Sequence, residues 1–172
     1  LEYVDLPDYP DCSTWLNDYP NLVVTRTFSK AYGLAGLRVG YALSSPDIAD
    51  VLNRIRQPFN VNSLALEAAV AALGDEEHIR RSVAVNASER ARVGAACDGL
   101  GLRTIPSAGN FILVDVKRPA LPLFDDLLRE AVIVRPVDNY GLPNYLRITI
   151  GTEEENDKLI GALERVLETA NA

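Results

Sequence analysis

The sequence predicts an α/β fold. Three observations carry that prediction. β-Branched runs alternate with helix-periodic stretches, and Pro and Gly sit at the joints between them. The composition, 48% hydrophobic and 24% charged, supports a packed core rather than a disordered chain. At 172 residues the chain fits one ordinary domain or two small ones.

Residues 1–20 are rich in Asp, Pro and Tyr and read as an irregular surface segment. Asn21–Phe28 (NLVVTRTF) is β-branched and reads as a strand, buried on its way to Lys30. Residues 29–38 carry Gly33 and Gly36, so they form a loop or an interrupted turn. Val39–Leu43 is a second short strand. Ser45-Pro46 supplies an N-cap and a proline at the first helical position, and Ile48, Val51, Leu52 and Ile55 follow at helical spacing. Pro58 stops that helix. Ser63–Leu73 is an Ala-rich helix closed by Gly74. Residues 75–100 form a long polar helix without an obvious apolar face, as expected of a bridge between two lobes. Strand 110–116, helix 122–131 and strands 132–135 and 145–150 follow. Thr152 and Glu155 have capping-box spacing before a last helix with Leu159, Ile160, Leu163, Val166 and Leu167 on its apolar face.

The charge excludes some functions. Seventeen basic and 24 acidic residues give −7, which argues against a nucleic-acid binder. The acids concentrate at the two ends, leaving a mildly basic centre that suits an anionic small ligand. No apolar run approaches the ~18–20 residues of a membrane helix. Residues 1–20 lack the basic start and apolar stretch of a signal segment. Cys12 and Cys97 lie far apart, and with His78 as the single histidine no ordinary Cys/His metal site is expected. A Ser-His-Asp triad would have to use His78, which lies in the polar helix. No methionine occurs at all, so a piece of a longer translated chain is expected.

The chemistry concentrates near Lys30, one of three lysines against 14 arginines. Thr27-Phe28-Ser29-Lys30 ends the first strand, and a glycine-rich stretch follows. Two readings are open. The ammonium snorkels to the surface from a strand end. Alternatively, its amine is tuned to attack a carbonyl. Arg38, the hydroxyls of Thr27 and Ser29, and Gly33 and Gly36 beside it suit a phosphate. The spacing is not that of Walker A. Near the C-terminal end, strand alternation places Leu146, Ile148 and Ile150 on one face and Tyr145, Arg147 and Thr149 on the other.

Ser29-Lys30-Ala31-Tyr32-Gly33-Leu34-Ala35-Gly36-Leu37-Arg38-Val39-Gly40-Tyr41 resembles the cofactor-lysine motif of fold-type I pyridoxal-phosphate aminotransferases. More narrowly, the chain resembles the C-terminal half of the histidinol-phosphate aminotransferase family. Segments 110–114 (NFILV), 132–137 (VIVRPV) and 145–152 (YLRITIGT) carry this resemblance, which runs over nearly all of the chain. It implies a fold-type I transferase: the C-terminal part of a large cofactor domain with a mixed sheet over residues 1–85, and a small α/β domain over 86–172. It implies pyridoxal 5'-phosphate as cofactor. Lys30 is then the catalytic lysine that bonds the cofactor and moves a proton. Thr27, Ser29 and Arg38 join Lys30 in holding the cofactor. Arg147 grips the substrate's anionic end, Arg135 lies near its phosphate, and Asn110 and, more weakly, Tyr140 match further positions. No metal is implied.

The expected reaction exchanges an amino group between L-histidinol phosphate and 2-oxoglutarate (or glutamate in reverse), by a cytoplasmic homodimer with no nucleic-acid or membrane partner. The family pattern also includes features that this sequence lacks: an aspartate for the pyridine nitrogen, a ring-stacking aromatic, an asparagine facing the ring hydroxyl and an N-terminal phosphate loop. The chain by itself is therefore expected to lack measurable transaminase activity. Rival readings are an aromatic aminotransferase or a threonine-phosphate decarboxylase of the same superfamily, and a cofactor-free binding domain.

Overall fold

The computed structural model describes residues 10–169. The first nine residues of the expected irregular segment lie outside the described residues. Its remainder contains a short 3-10 helix, Cys12–Asn17, capped by the Asp11 carboxylate, which accepts from the Ser13 N–H. The chain divides between Val83 and Ala84 into two compact units.

The first unit contains strands β1 (Val23–Thr27) and β2 (Gly40–Ser44), paired antiparallel with Thr27 opposite Gly40. Helix α1 (Pro46–Ile55) begins with Pro46 after Ser45, as the sequence predicts. Helix α2 (Ser63–Leu73) has the predicted bounds. The Asn62 side chain caps it by accepting from the Ala65 N–H at 2.9 Å, and Gly74 ends it. The unit's core is small: Phe28, Tyr32, Val39, Ala65 and Ala69. Only Val24 of β1 is buried within the strand, so the expectation of a buried strand running up to Lys30 is corrected.

Helix α3 (Glu76–Gly99) contains the division between the units. The second unit continues with β3 (Arg103–Ile105), β4 (Phe111–Asp115), helix α4 (Ala120–Arg129), β5 (Arg135–Val137), β6 (Leu142–Thr149) and helix α5 (Glu153–Thr169). Its strands form one antiparallel sheet in the order β3-β4-β6-β5. One face, with Ile112, Val114, Leu146 and Ile148, packs on side chains from α3, α4 and α5. The last helix uses the predicted capping box: Glu155 Oε2 accepts from the Thr152 N–H at 2.8 Å.

Two expectations change. The polar α3 does cross a core, because its later turns bury Val93, Gly94 and Cys97. Burial pushes the Cys97 thiol up to about 11, with Asp98 adding to the shift. Strand β5 begins at Arg135 rather than Val132. The reason lies at the end of α4. Ala131 takes φ +57, its N–H bonds the Leu128 carbonyl, and the Val132 N–H bonds the Leu127 carbonyl. That pair of bonds closes the helix with the first residues of the expected strand.

Candidate active site

In the first unit the candidate site is the connection between β1 and β2. The Phe28 N–H bonds the Val39 carbonyl at 3.2 Å, which extends the ladder past Thr27. The Leu34 N–H returns to the Phe28 carbonyl at 2.9 Å, and the Gly33 N–H closes a turn on the Lys30 carbonyl at 2.8 Å. Gly33 sits at φ +70, where a side chain would be strained. Phe28 and Tyr32 are buried with ring centroids 4.8 Å apart, and burial raises the Tyr32 hydroxyl above its ordinary value. The aromatic pair anchors the loop from beneath. Lys30 is left exposed, with no side-chain hydrogen bond or ion pair among the described residues.

Thr27, Ser29 and Arg38 do come together. With Thr25, Arg26, Val39 and Gly40 they line a recess of about 340 Å³. Lys30 is not in its lining but is next in sequence to Ser29. The Ser29 N–H donates to Thr27 Oγ1 at 3.0 Å. Arg38 has left-handed backbone, and its guanidinium donates to the Ala35 carbonyl at 2.8 Å. Gly40 is required on steric grounds: a Cβ there would lie 2.6 Å from the Arg26 carbonyl oxygen. The lining carries two arginines, Arg26 and Arg38, and three hydroxyl residues, Thr25, Thr27 and Ser29, which together form a donor set for a phosphate. The donor set therefore fits the phosphate of the implied cofactor, with an exposed amine beside it.

In the second unit Leu146 and Ile148 face the core, and Tyr145, Arg147 and Thr149 occupy the other face. Arg147 pairs with Leu113 on one side and Arg135 on the other. Two arginines directly opposite each other repel, so this pairing costs stability unless an anion lies between or above them. Phe111 pairs with Thr149 and is thus the diagonal neighbour of Arg147. Its ring lies 4.1 Å beneath the Arg147 guanidinium carbon. Arg147 Nε is buried and makes no hydrogen bond. Further along the same face, Arg103 donates to Tyr145 Oη at 2.7 Å and to Asp115 Oδ2 at 3.1 Å. The Tyr145 hydroxyl first, and then Asp115, hold its charge.

Asn110 lies at the start of β4, where its carbonyl accepts from the Ile150 N–H at 2.9 Å. Its carboxamide makes no hydrogen bond among the described residues. Tyr140 is exposed in a 3-10 turn, Asp138–Tyr140. His78 lies in the first turn of α3, with Nε2 3.4 Å from Ser82 Oγ. Phe111 joins these residues without a local sequence signal of its own. Its place beneath Arg147 depends on strand register, which alternation within one strand does not reveal.

A two-stranded pair whose connection carries Lys30 and a recess lined by arginines and hydroxyls, followed in sequence by an antiparallel α/β unit, agrees with one class of protein. Residues 4–163 match the family described as aminotransferase class I and II, and the chain belongs to that family. Among curated relatives, it is 58% identical over 167 residues to histidinol-phosphate aminotransferase 2 of Methylococcus capsulatus, covering 97% of this chain and 45% of that protein. The chain thus spans about half the length of the curated relatives it matches.

Two solved structures share the fold. The histidinol-phosphate aminotransferase of Sinorhizobium meliloti in complex with pyridoxal-5'-phosphate has TM-score 0.84 and 36% identity, over 89% of this chain and 43% of that one. The L-threonine-O-3-phosphate decarboxylase of Porphyromonas gingivalis has TM-score 0.83 and 30% identity, over 98% of this chain and 54% of that one. The fold is that of fold-type I pyridoxal-phosphate enzymes, as the sequence predicts.

Proposed function

We propose that the protein carrying this sequence is a pyridoxal 5'-phosphate-dependent aminotransferase that exchanges an amino group between L-histidinol phosphate and 2-oxoglutarate. The observation that carries the reading is the recess of Thr27, Ser29 and Arg38 beside the exposed Lys30. Identity of 58% to a histidinol-phosphate aminotransferase supports the substrate. In this reading residues 1–85 are the C-terminal part of a large cofactor domain and residues 86–172 the small domain, a boundary two residues beyond the division between Val83 and Ala84. The working form is a cytoplasmic homodimer. Among the described residues no helix is long and apolar enough to cross a membrane.

When bound, the cofactor supplies an aldehyde that captures amines and a ring that delocalises the charge left on the substrate carbon. The chain's residues do the rest. Arg38 holds the cofactor phosphate by charge-assisted hydrogen bonds, and the Thr27 and Ser29 hydroxyls complete the set. Lys30 would hold the cofactor through Nζ and, with that nitrogen free, would hold the proton removed from the substrate carbon. Arg147 and Arg135 receive the substrate's anionic end, and 2-oxoglutarate presents an anion to the same Arg147. The Arg147 Nε–H, dehydrated and stacked on Phe111, leaves the outer guanidinium nitrogens for that anion. Asn110 contributes a carboxamide at the start of β4.

The test is to treat the protein with pyridoxal phosphate, reduce it with borohydride and map the peptides. The pyridoxyl group should sit on Lys30 and be absent from Lys117 and Lys158. Lys30→Ala should abolish turnover, measured as glutamate formation from histidinol phosphate and 2-oxoglutarate. Labelling of another lysine, or normal turnover in Lys30→Ala, refutes the assignment. Likeness to a threonine-phosphate decarboxylase favours a second reading, and carbon dioxide release from threonine phosphate without glutamate formation would select it.

A further inference from the structure

The loop before β4 is held from outside in an unusual way. Asn86 and Arg90 lie one turn apart on α3, and both donate to the same backbone oxygen: Asn86 Nδ2 to the Gly109 carbonyl at 3.2 Å and Arg90 to it at 3.0 Å. Ser107 Oγ locks the same loop. It accepts from the Gly109 N–H at 3.1 Å and donates to the Phe111 carbonyl at 2.6 Å. The Asn110 carbonyl is held by the Ile150 N–H at 2.9 Å. Residues 109–111 therefore have little freedom left. What that loop carries is the Asn110 carboxamide and the Phe111 ring, and the ring supports the Arg147 guanidinium at 4.1 Å.

Arg147 has few fixings of its own. Its Nε is buried without a hydrogen bond, and its guanidinium stacks on Phe111. A guanidinium recognises a carboxylate or phosphate through a planar fork, so its plane must be set before the ligand arrives. Whatever fixes the Phe111 ring fixes that plane.

We propose that Asn86 and Arg90 are positioning residues for anion recognition: by clamping the Gly109 carbonyl they hold Phe111, and through Phe111 they aim Arg147 at a substrate phosphate or carboxylate. This rests on the reading of Arg147 as the anion-recognition residue. Asn86 and Arg90 touch no ligand themselves.

The experiment reads Arg147 directly. In the 15N-labelled chain, the Arg147 Nε–Hε resonance should carry a ring-current shift from Phe111, and inorganic phosphate is titrated against it. The clamp variants are Asn86→Leu, which keeps side-chain volume without a donor, and Arg90→Lys. Ser88→Ala, on the same helix outside the clamp, is the control. Its hydroxyl donates to the Val85 carbonyl. Amide dispersion of the second unit reports folding in each variant.

In both clamp variants the Arg147 resonance should move toward that of an unstacked arginine, and phosphate affinity should weaken about two- to tenfold. Ser88→Ala should match the unmodified chain. An Arg147 resonance that stays in place in folded Asn86→Leu and Arg90→Lys overturns the positioning role. Failure of phosphate to shift Arg147 in the unmodified chain overturns the anion reading beneath it. The two failures are told apart because the ring-current shift is measured without ligand.

Discussion

The two units bury apolar surface to very different extents. The second closes a core of 18 buried residues between one sheet face and three helices. Among the described residues, the core cluster of the first has five. Its helices α1 and α2 present Ile55, Leu64 and Val70 to solvent at 71%, 76% and 68% exposure, and the loop between them shows Phe59 at 95%. Helix α2 is apolar nearly all round, a pattern that normally marks a helix buried on several sides. A two-stranded antiparallel pair is at best marginal in water by itself. Local sequence signals specify the elements of both units equally well. Packing turns those elements into stability in the second unit far more than in the first.

The largest expected effect lies where packing is complete. Leu146 is fully buried in the second unit's core. Leu146→Ala should cost about 2–5 kcal/mol through lost transfer energy and a residual cavity. Leu64→Ala, at an exposed position on α2, should change stability by about 0.5 kcal/mol or less. Urea unfolding midpoints of the two variants measure both. Comparable losses would mean that the first unit has a packed environment at Leu64, and the contrast would fail.

Arg38 tests the other side of the contrast, because the first unit carries the groups proposed to hold the cofactor phosphate with little core beneath them. Losing a charge-assisted contact to phosphate should weaken cofactor binding about ten- to a hundredfold in Arg38→Ala. The unfolding midpoint should hardly change, since the guanidinium is exposed and its internal bond is to the Ala35 carbonyl. Cofactor affinity, followed by absorbance on titration, decides it. Unchanged affinity would remove Arg38 from the phosphate site.

How much of this was legible depended on whether the signal was local. The bounds of the helix Ser63–Leu73, the cap at Thr152, the proline at Pro46 and the alternation around Arg147 all rest on signals within a few residues, and each appears where the sequence puts it. Strand β3 escaped notice because Arg103–Ile105 has no alternation of its own and exists through pairing with β4. The core role of α3 is not legible because Val93 and Cys97 are its only buried apolar side chains, too few to form a stripe in a long polar run. Thr104 packs on the helix there, its hydroxyl donating to the Gly94 carbonyl at 3.3 Å. The Arg135–Arg147 pairing and the Phe111 support are matters of register between strands.

A buried polar network gives the second unit a further dependence. Asn156 is 1% exposed and brackets Gly151, accepting from its N–H and donating to its carbonyl, both at 3.0 Å. It also donates to Glu89 at 2.7 Å. Asn156→Ala should cost about 1–3 kcal/mol for a group left buried without a partner. Hydrogen bonds from Arg92, then from Asn156, hold the Glu89 carboxyl below the ordinary glutamate range. A lowered native pKa means that the stabilisation is fully present above the ordinary value of about 4.3 and is lost as pH falls through the native one. Unfolding midpoints measured from about pH 6 down to about pH 3 should fall less steeply in Glu89→Gln than in the unmodified chain. An equally steep acid limb would show that Glu89 is not the group responsible.

The smallest effect compares two helix caps, one in each unit. At the start of α5, Thr152 and Glu155 bond reciprocally: Glu155 Oε2 accepts from the Thr152 N–H at 2.8 Å, and the Glu155 N–H reaches Thr152 Oγ1 at 3.4 Å. At the start of α1, Ser45 has the extended backbone of a cap but its side chain makes no capping bond. Thr152→Ala should therefore cost about 1 kcal/mol, the usual loss for an engaged cap, because it frees an orphan N–H on a helix whose apolar face is buried. Ser45→Ala removes no capping hydrogen bond and should cost only about a few tenths of that value. Hydrogen exchange at the first-turn amides of each helix separates the two cases. Thr152→Ala should speed exchange at Glu155, whereas Ser45→Ala should leave the first turn of α1 unchanged. If Ser45→Ala were the more costly of the two, the Ser45 hydroxyl would have to cap α1 in solution, and the first unit would owe more of its order to local bonds than its small core suggests.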